Sequence, residues 1–166
     1  KATSGDIDDA AKNSLRGSME LLDKSLNILD STTGVRTAGR TMKDVMDEQL
    51  DKFDTDRDGT ISRAEAEAVT EINIAKVSSV DGIEKFTQLK LLGCINSELV
   101  SLDLSKNSAL TRLLFYECLL TSLDVSKNAA LTHLLLTGTQ LSVLDISNNS
   151  ELTELNCYNN RLTTLD

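Results

Sequence analysis

From Leu89 to Asp166 the chain repeats itself every 21 residues, with no insertion or deletion. In register the turns read LKLLGCINSELVSLDLSKNSA, LTRLLFYECLLTSLDVSKNAA, LTHLLLTGTQLSVLDISNNSE and LTELNCYNNRLTTLD. Leu89, Leu110, Leu131 and Leu152 share a column, as do Leu92, Leu113, Leu134 and Leu155, and Asp103, Asp124, Asp145 and Asp166 form another. A fixed period of this length restricts the fold to stacked units, each unable to bury its apolar face alone. Within a turn, an LxL triplet sends its outer two side chains to one face of an extended strand and the middle one to the other. With aromatics at 3% and no tryptophan or proline, the core must be built of Leu, Ile, Val and Ala.

The pattern resembles that of the leucine-rich repeat family, LxxLxLxxNxL. LTELNCYNNRL at 152–162 matches it with Cys157 in the third apolar place; the other turns hold Ser97, Cys118 and Thr139 where this one has Asn160. A second half-turn, LxxLDxSxN, carries Asn107, Asn128 and Asn149, expected in tight turns where side-chain amides satisfy backbone groups. The resemblance spans 72–166 and implies an α/β solenoid, a short right-handed superhelix with strands about 4.8 Å apart. The 21-residue LDVSKN form with cysteine in the strand is similar to that of bacterial surface and secreted proteins, internalin-like adhesins among them. It implies an extracellular or cell-surface location, with a signal or lipoprotein segment removed from this chain.

Ahead of the regular repeats, 72–88 reads as one irregular turn, since Ile72 and Ile74 stand where Leu92 and Cys94 stand twenty residues later. Residues 1–71 read as a helical cap region. Leu15, Met19, Leu22, Leu26 and Leu29 recur at alternating steps of four and three after a candidate N-cap at Asp6, which predicts an amphipathic helix over 7–29. STTGVRTAGR at 31–40 has turn composition. Met42, Val45, Met46, Leu50 and Phe53 mark a second helix, and Ala64, Ala68, Val69 and Ile72 a third. At the other end no polar cap follows the last leucines, so that face is exposed, covered by a partner such as a second copy, or continued by further sequence.

Between the second and third helices lies DTDRDGTISRAE, 54–65. It resembles an EF-hand calcium loop, which takes oxygen ligands from positions 1, 3, 5, 7, 9 and 12 and places glycine at 6. Here these are Asp54, Asp56, Asp58, Thr60, Ser62 and Glu65, with Gly59 at the turn. The resemblance implies that Thr60 ligates through its carbonyl, Ser62 directly or through water, and Glu65 with both oxygens. Carboxylates packed this closely repel unless a cation joins them. No second DxDxDG occurs, which favours a structural Ca2+ over a switch. The alternative is a calcium-responsive regulator in which the loop frees a binding surface.

The net charge is −9, with 16 acidic and 10 basic residues up to Glu71 and 10 and 7 after it, so neither half offers a patch for nucleic acid. No run approaches the apolar length of a membrane span. Cys94 and Cys157 share an inward column about 14 Å apart at three strand spacings, too far for a disulfide; Cys118 lies in the turn column. One histidine and no nucleophile in a recognisable setting argue against catalysis. The Asp103 column is a second, weaker candidate for a cation. The middle positions of the strands carry the functional expectation: Leu114, Tyr116, Leu135, Thr137 and Tyr158, edged by Arg112 and His133, form an outward apolar patch with polar borders that suits a protein ligand or a glycan.

Overall fold

The computed structural model describes residues 40–165; the amphipathic segment at 7–29, most of the linker and Asp166 lie outside them. The chain enters through a short helix, α1 (Met42–Glu48), started by a reciprocal capping box in which the Thr41 hydroxyl accepts from the Asp44 N–H and the Asp44 carboxylate from the Thr41 N–H. A break at Gln49 separates it from α2 (Leu50–Phe53), and the loop 54–62 leads into α3 (Arg63–Ala68). The second predicted helix is thus interrupted, and the third ends before Ile72. Val69 is already extended, and Ile72 belongs to a strand.

Seven strands follow: β1 (Glu71–Ala75), β2 (Leu91–Ser97), β3 (Arg112–Cys118), β4 (His133–Thr137), β5 (Val143–Leu144), β6 (Glu154–Asn156) and β7 (Thr164–Leu165), with a 3-10 turn at Ile83–Lys85. All pairings are parallel: β1-β2-β3-β4-β6 make one sheet and β5-β7 a second, short one. The register follows the sequence, twenty residues across the irregular first turn, Ile72↔Leu92, and the 21-residue period after it, Leu92↔Leu113, Leu113↔Leu134, Leu134↔Leu155. This is a leucine-rich parallel solenoid, and the outer leucines of each LxL stack inside it.

Ladders of identical hydrogen bonds hold successive turns together. Nδ2 of Asn128 donates to Leu104 O (3.1 Å) and Asn107 O (2.9 Å), and Nδ2 of Asn149 to Val125 O (3.1 Å) and Asn128 O (2.9 Å). Asn107 makes the same pair to Ile83 O and Phe86 O, so the irregular turn already offers the carbonyls the ladder needs. These asparagines are buried and bind the preceding turn, a longer reach than a tight-turn role. A second ladder runs through hydroxyls: Thr111 to Lys90 O, Thr132 to Thr111 O, Thr153 to Thr132 O.

A third regularity lies where each strand leaves the sheet. Lys76, Asn96, Glu117, Gly138 and Asn159 occupy one column, and all have positive φ, between 46 and 67°. The helices share the solenoid's core: Met42, Val45, Phe53, Ala66 and Val69 are buried in the same cluster as Ile72, Ile74, Leu89 and Leu92. Met46 packs partly buried against that core.

Candidate calcium loop and strand face

The loop between α2 and α3 is shaped by its own carboxylates. Asp54 accepts from the N–H of Asp58 (3.1 Å) and of Gly59 (2.8 Å), Asp56 from Asp58 N–H (3.1 Å), and Asp58 from Thr60 N–H and hydroxyl (both 2.8 Å). Gly59 turns the chain at φ +87°, a conformation that glycine adopts without strain. One oxygen from each of Asp54, Asp56 and Asp58 falls within 4.8 Å of the others. Asp56 is raised from its ordinary value: the hydrogen bond from Asp58 lowers it, but desolvation and the charges of Asp58 and Glu65 outweigh that bond.

Three of the predicted ligands are therefore brought together. The other positions are arranged differently. Glu65 Oε1 accepts from the Thr55 N–H and hydroxyl and from Asp56 N–H, while Oε2 accepts from Ser62 N–H (2.9 Å). The Ser62 hydroxyl accepts in return from Glu65 N–H, so the pair is the capping box of α3. These bonds, that from Ser62 N–H first, hold the Glu65 carboxyl at about 2, below the ordinary 4.5. The S-x-x-E spacing in SRAE is the sequence signal for such a box, and it overlaps positions 9 and 12 of the loop. The donor set, three carboxylates, is all hard oxygen and fits calcium. Of the described acids and thiols, only this trio has ligand atoms close enough to share an ion.

The Asp column behaves otherwise. Asp103, Asp124 and Asp145 each accept from the N–H two residues on, at Ser105, Ser126 and Ser147 (2.8 to 2.9 Å), and each carboxyl is lowered by its serine. They close turns and are already supplied with donors. Cys118, placed by sequence in the turn column, is buried, with its sulfur 3.6 Å from that of Cys94. Burial pushes the Cys94 thiol up, and the Cys94 hydrogen bond lowers that of Cys118.

On the outward side of the large sheet the expected exposed leucines are not exposed. Leu114 is 4% and Leu135 5% accessible, and Ile95 and Thr137 are buried beside them. They stand opposite the leucine core and are not part of it. The alternation of residues tells which side of a strand a side chain takes and does not reveal how closely that side is covered. Arg112, Tyr116 and His133 are half-buried, and Tyr158 is 75% exposed. His133 Nδ1 lies 2.8 Å from the Thr132 hydroxyl, and its Nε2 3.6 Å from Glu154 Oε2. The accessible part of this face is thus its aromatic and charged rim.

No family model and no curated protein matches the chain. Among solved structures it is similar to the functional domain of InlJ from Listeria monocytogenes, described as including a cysteine ladder. The identity is 35% and the TM-score 0.45, over 64% of this chain and 29% of that one. It is also similar to a leucine-rich repeat protein of Leptospira interrogans, at 17% identity and a TM-score of 0.46, over 60% of this chain and 34% of that one. This chain spans about a third of the length of either.

Proposed function

We propose that this chain is a non-enzymatic protein-binding module of a secreted or cell-surface bacterial protein, with a structural calcium ion at the entrance to its solenoid. The observation that carries the binding reading is the rim of the strand face, where Arg112, Tyr116 and His133 lie on a parallel sheet and Tyr158 stands exposed in the turn after β6. Aromatic and arginine side chains on a preorganised surface lose little entropy on docking and are the usual anchors of protein contacts. The immobilised chain is expected to retain a partner from the extracellular fraction of a bacterial culture, and Tyr158→Asp with Arg112→Glu to release it. Retention unchanged by both substitutions would sink this reading. Leu135 is unsuitable for the purpose, because a charge at a buried position disturbs folding.

The calcium reading is supported by the gathered trio Asp54, Asp56 and Asp58 and by the raised Asp56. Thr60 would add its carbonyl, with Ser62 and Glu65 completing the set if the α3 capping box loosens. The ion would supply charge neutralisation and a fixed angle between α2 and α3. At free calcium 100 times the dissociation constant, stability is expected to rise by about 2.7 kcal/mol, and Asp54→Asn with Asp58→Asn to abolish the rise. A melting temperature indifferent to calcium would remove the ion from the proposal. Calcium-dependent binding of a hydrophobic dye would instead favour the regulatory alternative. Self-association through the last turn, where Leu165 is exposed, is read by sedimentation.

A further inference from the structure

The left-handed column at the strand exits contains one charged side chain whose placement its own turn does not account for. Asparagine and glycine occupy this backbone region readily, glutamate rarely. Yet Glu117 sits there with φ 52°, exposed, and no described residue hydrogen-bonds or ion-pairs with its carboxylate. That carboxylate lies across the next turn. A Cβ added to Gly138 would meet Glu117 Oε1 at 2.8 Å, so the glycine leaves the space the acid occupies.

Two tyrosines flank the same spot. Tyr116 is in register with Thr137, which is buried, and Tyr158 follows Thr137 by the 21-residue period. The Gly138 N–H donates to Tyr158 O (3.0 Å), as the Lys76 N–H does to Ile95 O in the first turn, so the register persists beyond the end of β6. The two backbone positions therefore stand two strand spacings apart, about 10 Å, with Thr137 and Gly138 between them. A cation between two rings rising from these positions is within reach of the roughly 6 Å range of a cation–π contact, with the Glu117 carboxylate beside it.

We infer that Tyr116, Glu117, Gly138 and Tyr158 form a subsite for an arginine side chain of a partner polypeptide. The planar guanidinium stacks on a phenol ring and pairs with a carboxylate at once, which a compact ammonium does less well. The net charge of −9 steers basic segments toward the chain and acidic ones away. The inference rests on the reading of this face as a binding platform, and it names the chemistry that one corner of the platform takes.

The test is a titration of the labelled full chain, with calcium present, by a blocked oligoarginine peptide and by the same peptide carrying citrulline, followed by amide chemical shifts. With arginine, shifts are expected to centre on Tyr116, Glu117, Gly138 and Tyr158; citrulline should leave them unmoved. Glu117→Gln is expected to weaken binding about tenfold. Glu151→Gln, an equal change of charge on the exposed turn before β6, should leave it unaltered. Tyr158→Ala gives a second, separate loss without touching the carboxylate. Equal weakening by Glu117→Gln and Glu151→Gln, shifts spread over the whole acidic surface, or equal binding of the citrulline peptide would overturn the inference. So would an oligosaccharide that moves these amides while oligoarginine does not. If partner capture depends on Tyr158 but ignores Glu117→Gln, the subsite falls and the platform stands; if the titration succeeds where capture fails, the platform falls alone.

Discussion

Asn128 makes two hydrogen bonds that no other residue type can supply at its place: one amide nitrogen bridges Leu104 O and Asn107 O in the fully buried interior. Asn128→Ala removes both bonds, leaving Leu104 O with its bond from the Asn107 N–H and Asn107 O with that from the Leu110 N–H, and is expected to cost about 2 kcal/mol, measurable by urea unfolding. The asparagine period is plain in the sequence. Its direction, back across 21 and 24 residues, is not, since spacing carries no information about which turn's carbonyls are left open. Glu65 shows the opposite difficulty, a residue legible in two ways at once, as a calcium ligand and as the end of a capping box. Its folded carboxyl value of about 2 lies below the ordinary 4.5, so its contribution to stability is complete above the unfolded value. That contribution is lost as pH falls from 4.5 toward 2. In chelator, the melting temperatures of wild type and Glu65→Gln should therefore differ at neutral pH and converge in acid. A gap that persists at the acid end would assign the effect to shape instead of ionisation.

At the scale of elements, the strands were readable because LxL at a fixed period leaves no other register. The shared left-handed exit was not, since its column holds lysine, asparagine, glutamate, glycine and asparagine, and the lysine and glutamate mask the hint of φ > 0 that the glycine and asparagines carry. Gly138→Ala is expected to destabilise by about 1 kcal/mol, the backbone cost of a Cβ in this region. The atom it meets is the end of the flexible Glu117 side chain, so the same loss should appear in a Glu117→Ala background. A large rescue in the double variant would show that the contact, not the backbone, sets the cost. The helix boundaries were blurred for a physical reason too: apolar spacing continued through Gln49 and Ile72, where the backbone changes direction to cap one element or begin another.

At the largest scale, among the described residues the helix-loop-helix and the solenoid are one body because Val45, Phe53 and Val69 share a core with Ile72 and Leu92. Helical and sheet signals should then disappear in a single transition, and Val45→Ala should lower both together by about 2 kcal/mol. Separate midpoints would divide the core into two. The face that carries the binding proposal was legible in its composition but not in its accessibility. Alternation tells which side of a strand a residue takes, and says nothing of how closely the side is covered, which is why Leu114 and Leu135 were expected in solvent and are buried.

The unbroken register has a consequence for how this chain can change. If residues 110–130 were excised, Asn149 would face the carbonyls of Leu104 and Asn107 that Asn128 now binds, and Thr132 would meet Lys90 O in place of Thr111. Every rung has an equivalent to land on. Removing one residue from the same stretch would instead misalign every rung above it. Length here is quantised in steps of a turn, so such a sequence can grow or shrink by whole copies far more readily than by single codons.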